Sequence, residues 1–193
     1  MKNKRIIISV FVLLCVIQLI VPLRMILSNE RVLDEGVSYR FRMVPIDPSD
    51  PFRGRYITLR YRDNSVKISE GEQWKRGEKA FAVLSTHKDG YAIIKSISRI
   101  RPQDDTDYIT AKIRYVRNRD EHSVVLNFPF TRYYMEEFKA PKAEKAYSKL
   151  VRNANTYALV SVQRGEAVIE DVLLDGVPIA DKLNELLQEK EIR

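Results

Sequence analysis

The sequence predicts a mainly β domain, either an antiparallel sandwich or a partly open barrel, with an inserted helical segment and a C-terminal helix, preceded by one N-terminal transmembrane helix. Three observations predict it. Residues 6–27 form an almost unbroken apolar run. Beyond them, apolar and polar side chains alternate with period two in several short stretches, the mark of half-buried strands. Turn residues then fall between those stretches at hairpin spacing.

The first element is the apolar run. From Ile6 to Leu23 its only polar side chains are Ser9 and Gln18. At about 1.5 Å per residue that stretch rises ~27 Å, and ~33 Å when carried through to Leu27. A hydrocarbon core is about 30 Å thick, so one helix spans it. Arg24 falls near the far interface, where its side chain can snorkel, and Pro22 falls in the last turn, where a break is tolerated. A cleaved signal peptide competes with this reading, but residues 24–29 offer no Ala-x-Ala pattern. A lipoprotein signal would place polar sequence after its cysteine, whereas Cys15 sits between Leu14 and Val16. A buried soluble helix is the third alternative.

Lys2, Lys4 and Arg5 precede the run with no acid to offset them, which keeps residues 1–5 cytoplasmic under the positive-inside rule. The expected organisation is therefore a cytoplasmic N-terminus (1–5), an anchor (6–27), a juxtamembrane spacer (28–38) and an extracytoplasmic β-rich domain (39–193), on the cell membrane. The single cysteine lies in the run, leaving the exported part without a thiol to mispair.

The strands follow. Tyr39, Phe41 and Met43 alternate with Arg40 and Arg42, and Ile57, Leu59 and Tyr61 with Thr58, Arg60 and Arg62. Lys79–Ser85 and Tyr91–Ile97 flank a loop ending in Asp89-Gly90; Tyr108–Arg117 and Ser123–Phe128 flank Asn118-Arg119-Asp120; Tyr157–Gln163 and Ala167–Leu173 flank Arg164-Gly165. Each reads as a hairpin. Between Thr131 and Arg152 the spacing of Tyr134, Phe138, Ala143, Tyr147, Leu150 and Val151 turns helical, with Thr131 as a candidate cap and Pro141 as a break or restart. A last helix is expected over 179–190.

Composition narrows the function. Of 33 basic residues, Lys2, Lys4, Arg5 and Arg24 lie in the first 27 positions, which hold no acid. The remainder carries 29 basic and 26 acidic residues, a net charge of +3. A domain so balanced gives little support to nucleic-acid binding, and no nucleic-acid partner is expected.

Pro45–Tyr61 is the densest local signal. Asp47-Pro48 and Asp50-Pro51 are turn-forming pairs, and Gly54 permits a bend before the next strand. Here the chain resembles the GDYXXLXY protein family, with the motif standing as Gly54-Arg55-Tyr56-Ile57-Thr58-Leu59-Arg60-Tyr61 after a DPSDPFRG lead-in. Gly54, Tyr56, Leu59 and Tyr61 match its pattern; Arg55 replaces its aspartate, so no role resting on that carboxylate carries over. Arg132–Tyr147 and the hairpin ending at Asp175-Gly176 also look family-like. The resemblance implies a bacterial single-pass protein with an exported domain, often encoded beside a multi-spanning membrane protein, without an established activity.

Two readings of the motif stand side by side. In one, Gly54 bends the chain while Ile57, Leu59 and Tyr61 fill the core. In the other, the opposite face works: Arg40, Arg42, Arg53, Arg55, Arg60 and Arg62 place six guanidinium groups where lipid headgroups, a glycan carboxylate or a partner's acidic loop could bind.

Catalytic chemistry finds no constellation. Ser28, Ser38 and Ser49 sit where a signal peptidase nucleophile would, but without a Ser-Met-x-Pro setting or a distinguished lysine base. His87 and His122 lack companions at metal-ligand spacing. Asp47 with Asp50, or Asp104, Asp105 and Asp107, could offer oxygens to calcium but read better as loops. Glu136 and Glu137 are adjacent on the expected helix and point apart. No catalytic residue, metal or cofactor is expected. The favoured reading is an accessory protein that binds a membrane or envelope partner, a multi-spanning membrane protein being one candidate. The alternative is an envelope hydrolase or acidic-ligand-binding protein with an unrecognised site.

Overall fold

The computed structural model describes residues 2–44, 56–69, 71–103, 106–117, 122–134 and 155–182. Among the described residues one long helix, α1 (Lys2–Glu35), leads into eleven strands. The fold is mostly β, with antiparallel sheets and a short helical turn at 179–182. The rest of the expected C-terminal helix, and residues 135–152 of the expected inserted helix, lie outside the described residues.

The helix is long and apolar enough to cross a membrane: its most apolar window has mean hydropathy 3.0, and none of that window is buried against the rest of the chain. Its last two turns behave differently. Val32 is 2% exposed, the Ser28 hydroxyl donates to Glu166 at 2.7 Å, and Gln163 donates to Glu35 at 2.9 Å. Gly36 closes the helix by donating to the Val32 carbonyl. A Cβ there would lie 2.2 Å from that carbonyl and 3.2 Å from the Val162 backbone, so only glycine fits.

β1 (Val37–Arg42) follows at once and pairs with β9 (Thr156–Gln163) from Val37↔Val162 to Arg42↔Tyr157. β9 pairs in turn with β10 (Glu166–Leu174), which pairs with β11 (Val177–Pro178). Both connections are two-residue turns with positive φ at both positions: Arg164 and Gly165, then Asp175 and Gly176. That geometry matches the twist of the strands it joins. A bulge places Glu170 out of register on β10, where it accepts hydrogen bonds from Ser161 at 2.6 Å and from Ser38.

The second sheet runs β3 (Ser65–Lys67), β7 (Ser123–Asn127), β6 (Tyr108–Arg117), β4 (Lys79–Thr86), β5 (Ala92–Ser98). It curls until its edge strands β3 and β5 meet, giving a nearly closed barrel. The expected hairpins β4–β5, β6–β7 and β9–β10 all form; β4 alternates buried with less buried positions throughout, as a strand with one face on the core does, whereas Ser123–Leu126 of β7 are all buried. The sheets are stitched where Ile109 bridges Gly165 in parallel and Thr110 donates to the Gly165 carbonyl at 2.9 Å.

One expectation fails. Arg132–Tyr134 is not the first turn of a helix capped by Thr131 but a strand, β8, paired with β2 (Tyr56–Thr58) through Tyr56↔Tyr134 and Thr58↔Arg132. The Thr131 carbonyl accepts from the Leu59 amide at 2.8 Å, a sheet-type bond. The Tyr56 and Tyr134 rings meet across the strands at 5.6 Å. This cross-strand aromatic contact outweighs local helical spacing.

Candidate functional site

The motif segment is built into the core by its alternating side chains. Leu59 is 2% exposed and Tyr61 is buried. Tyr61 joins Phe41, Phe128 and Phe130 in a knot of rings 5.0–5.8 Å apart, mostly edge to face, each such contact adding about 0.5–1.5 kcal/mol beyond burial. The Tyr61 hydroxyl donates to the Phe130 carbonyl at 2.7 Å, so the phenol is satisfied inside. Tyr56 is half-buried, with the Arg132 guanidinium 5.0 Å above its ring. Gly54, Arg53 and Arg55 lie outside the described residues, as does the Ile57 side chain.

Among the described residues, Arg40, Arg42, Arg60 and Arg62 do not form one cluster. Met43 bridges Tyr61, and the Arg62 amide donates to the Arg42 carbonyl, so Arg42 and Arg62 stand opposite each other. Like charges so placed repel, and local acids offset one of them. Arg42 contacts Asp89 at 2.5 Å and Asp63 at 3.7 Å, and its guanidinium lies 4.3 Å over the Tyr91 ring. Hydrogen bonds from His87 and then Arg42 hold the Asp89 carboxyl down at about 2, against the opposing pull of desolvation. Arg42 is thus spent internally. Arg40 is exposed on β1 with its guanidinium 5.7 Å from the Tyr157 ring. Arg60 and Arg62 are exposed and make no ion pair among the described residues.

Arg60 belongs to a different grouping. With Arg76, Lys112 and Arg114 it lines an open groove of about 620 Å³ where the motif segment, the 76–77 turn and the β6–β7 pair meet. No acidic side chain lines the groove among the described residues. Its apolar wall includes Leu59, Ile113, Leu126 and Phe128. Arg114 is the extra residue of a bulge: Ile113 faces Leu126 and Tyr115 faces Val125, leaving Arg114 unmatched and turned out. Sequence reasoning singled out Arg60 and missed the other three. Lys112 and Arg114 flank Ile113 in the same period-two alternation as Arg40 and Arg42, so the signal existed; the bulge and the approach of Arg76 did not show.

Among the described residues no group of three or more His, Cys, Asp or Glu could hold a metal ion. His87 contacts Asp89 at 2.9 Å. Two phenols donate to carboxylates at the sheet faces, Tyr39 to Asp107 at 2.7 Å and Tyr133 to Asp171 at 2.8 Å. Burial first, then those acceptors, raises both above the ordinary tyrosine value. These are structural ties, not acid–base pairs poised near neutrality.

Comparison with curated proteins and with solved structures returns no match. A family model described as GDYXXLXY protein matches residues 18–172, most of the chain.

Proposed function

The chain belongs to the GDYXXLXY family, and from that premise we propose that it is a single-pass membrane accessory protein whose extracytoplasmic domain binds a membrane or envelope partner without catalysis. The observation that carries this reading is the junction. α1 runs from its apolar stretch into the domain unbroken, and Val32, Ser28 and Glu35 fasten its last turns to the β9–β10 hairpin. A simple tether needs no such fastening. A helix rigidly joined to its domain suits a protein that engages one partner at two levels, within the bilayer and above it. Ser9 and Gln18 supply polar contacts for a neighbouring helix, and Lys2, Lys4 and Arg5 favour an inward N-terminus.

Affinity purification of the full chain in mild detergent tests the proposal. A stoichiometric multi-spanning protein should co-purify, and exchanging residues 6–27 for an unrelated apolar span should weaken its retention. Recovery of the chain alone under several detergents would overturn the reading. Protease added to intact cells should digest the domain; protection of the domain would overturn the orientation.

A further inference from the structure

We propose that the groove bounded by Arg60, Arg76, Lys112 and Arg114 is a binding site for a phosphate-bearing anion of two or more charges. This goes beyond the anchor-borne association proposed above, and either can hold without the other.

The argument starts from charge placement. The sequence beyond residue 27 is nearly balanced, with 29 basic and 26 acidic residues. Elsewhere two arginines are answered with acid: Arg42 meets Asp63 and Asp89, and Arg99 meets Glu78 at 2.6 Å. In the groove four cations from three separate elements converge with no acid among the described lining residues. Lys112 also stands directly opposite Lys79 on β4, an arrangement that costs stability in the absence of a counter-charge. Arg114, on the same face as Lys112, is the extra residue of a bulge in β6, and bulges are over-represented next to sites.

The chemistry then selects the ligand. Guanidinium forks match phosphate oxygens two at a time, and a lysine adds a point charge. About 620 Å³ falls in the range of small-molecule sites and exceeds what one inorganic phosphate fills. The open form suits an extended anion lying along the groove. Tyr115 stands at its border, 41% exposed, with Arg114 at 6.0 Å and Arg117 at 5.6 Å from its ring. The positive field thereby continues along the outer face of β6.

A phosphate of this kind can come from solution or from lipid headgroups, and one experiment separates the sources. The full chain, reconstituted in phosphatidylcholine nanodiscs, is titrated with inorganic tripolyphosphate by calorimetry. Binding should weaken about tenfold or more in Arg60→Gln/Arg114→Gln, since each lost charge-assisted contact is worth on the order of tenfold. Arg76→Gln/Lys112→Gln should behave alike, while Lys95→Gln, exposed on β5 and outside the lining, should leave affinity unchanged. Emission from the buried Trp74 checks that each variant folds. Repeating the titration in discs containing phosphatidylglycerol tells the sources apart: a drop in affinity that requires Arg60 and Arg114 assigns the groove to headgroups, and no drop assigns it to a soluble phosphate. Absence of tripolyphosphate binding, or an equal loss with Lys95→Gln, overturns the proposal.

Discussion

Replacing Gly165 with alanine probes how the two sheets are held together. Gly165 has φ +90°, and the turn residue before it, Arg164, is also left-handed. An alanine in left-handed backbone costs about 1–2 kcal/mol. Its Cβ would also lie 2.5 Å from the Tyr108 ring and 3.0 Å from the Thr110 hydroxyl. Tyr108 is 2% exposed and its hydroxyl is bound to the Arg164 carbonyl at 2.9 Å, so the ring has nowhere to retreat. Overpacking of that kind adds about 1–3 kcal/mol. The sum is about 2–5 kcal/mol, or roughly 4–20 °C in Tm for a domain of this size. Gly176 provides the internal control: its φ is +85°, but nothing lies within 4 Å of the added Cβ. Gly176→Ala should therefore lose only the backbone part, about 1–2 kcal/mol. Thermal unfolding of the full chain in detergent, followed through its one tryptophan, Trp74, reads both. Equal losses at the two glycines would refute the idea that the Gly165 seam is closed by direct contact.

Two further predictions concern the motif and pH. Leu59→Ala should cost about 2–5 kcal/mol by urea denaturation, as core truncations do, whereas Tyr61→Phe keeps the ring packing and should lose only about 1–3 kcal/mol through the unpaired Phe130 carbonyl; a reversed order would contradict the packing. Stability should also fall at both pH extremes for separate reasons. Asp89 is depressed from 3.8 to about 2, so its contribution is complete above the unfolded value and lost as pH falls through the folded one. Tyr39 and Tyr133 are raised above 10.0, so theirs is complete below that value and lost as pH rises through the folded one. Urea midpoints across roughly pH 2 to 11 should show Asp89→Asn flattening the acid limb alone and Tyr133→Phe reducing the alkaline limb alone. Identical profiles for wild type and variants would contradict both assignments.

The sequence disclosed what is local. Three hairpins were legible because two short apolar-rich stretches flank a turn within a few residues, as Tyr157–Gln163 and Ala167–Leu173 do around Arg164-Gly165. The packing of Leu59 and Tyr61 followed from their period-two alternation. What escaped detection was non-local. β2 pairs with β8 across more than seventy residues, and Tyr134, read as one step of a helical stripe, serves instead as a cross-strand partner of Tyr56. The arginine face was visible in Arg40, Arg42, Arg60 and Arg62, yet its division was not. Whether Arg42 is neutralised depends on Asp89 in the β4–β5 turn, and whether Arg60 joins a groove depends on Arg76 and a bulge on β6.

The direct passage from α1 through Gly36 into β1 sets a compass bearing. A helix turns about 100° per residue, so the fastening of Val32 and Ser28 fixes the azimuth at which Ser9 and Gln18 point relative to every face of the β domain. One residue inserted between the apolar stretch and Ser28 would swing that bearing by about 100°, while seven would restore it to within about 20° and add roughly 10 Å of reach. The sequence of the helix is therefore also an instruction about heading, readable from any neighbour that holds both ends of the molecule.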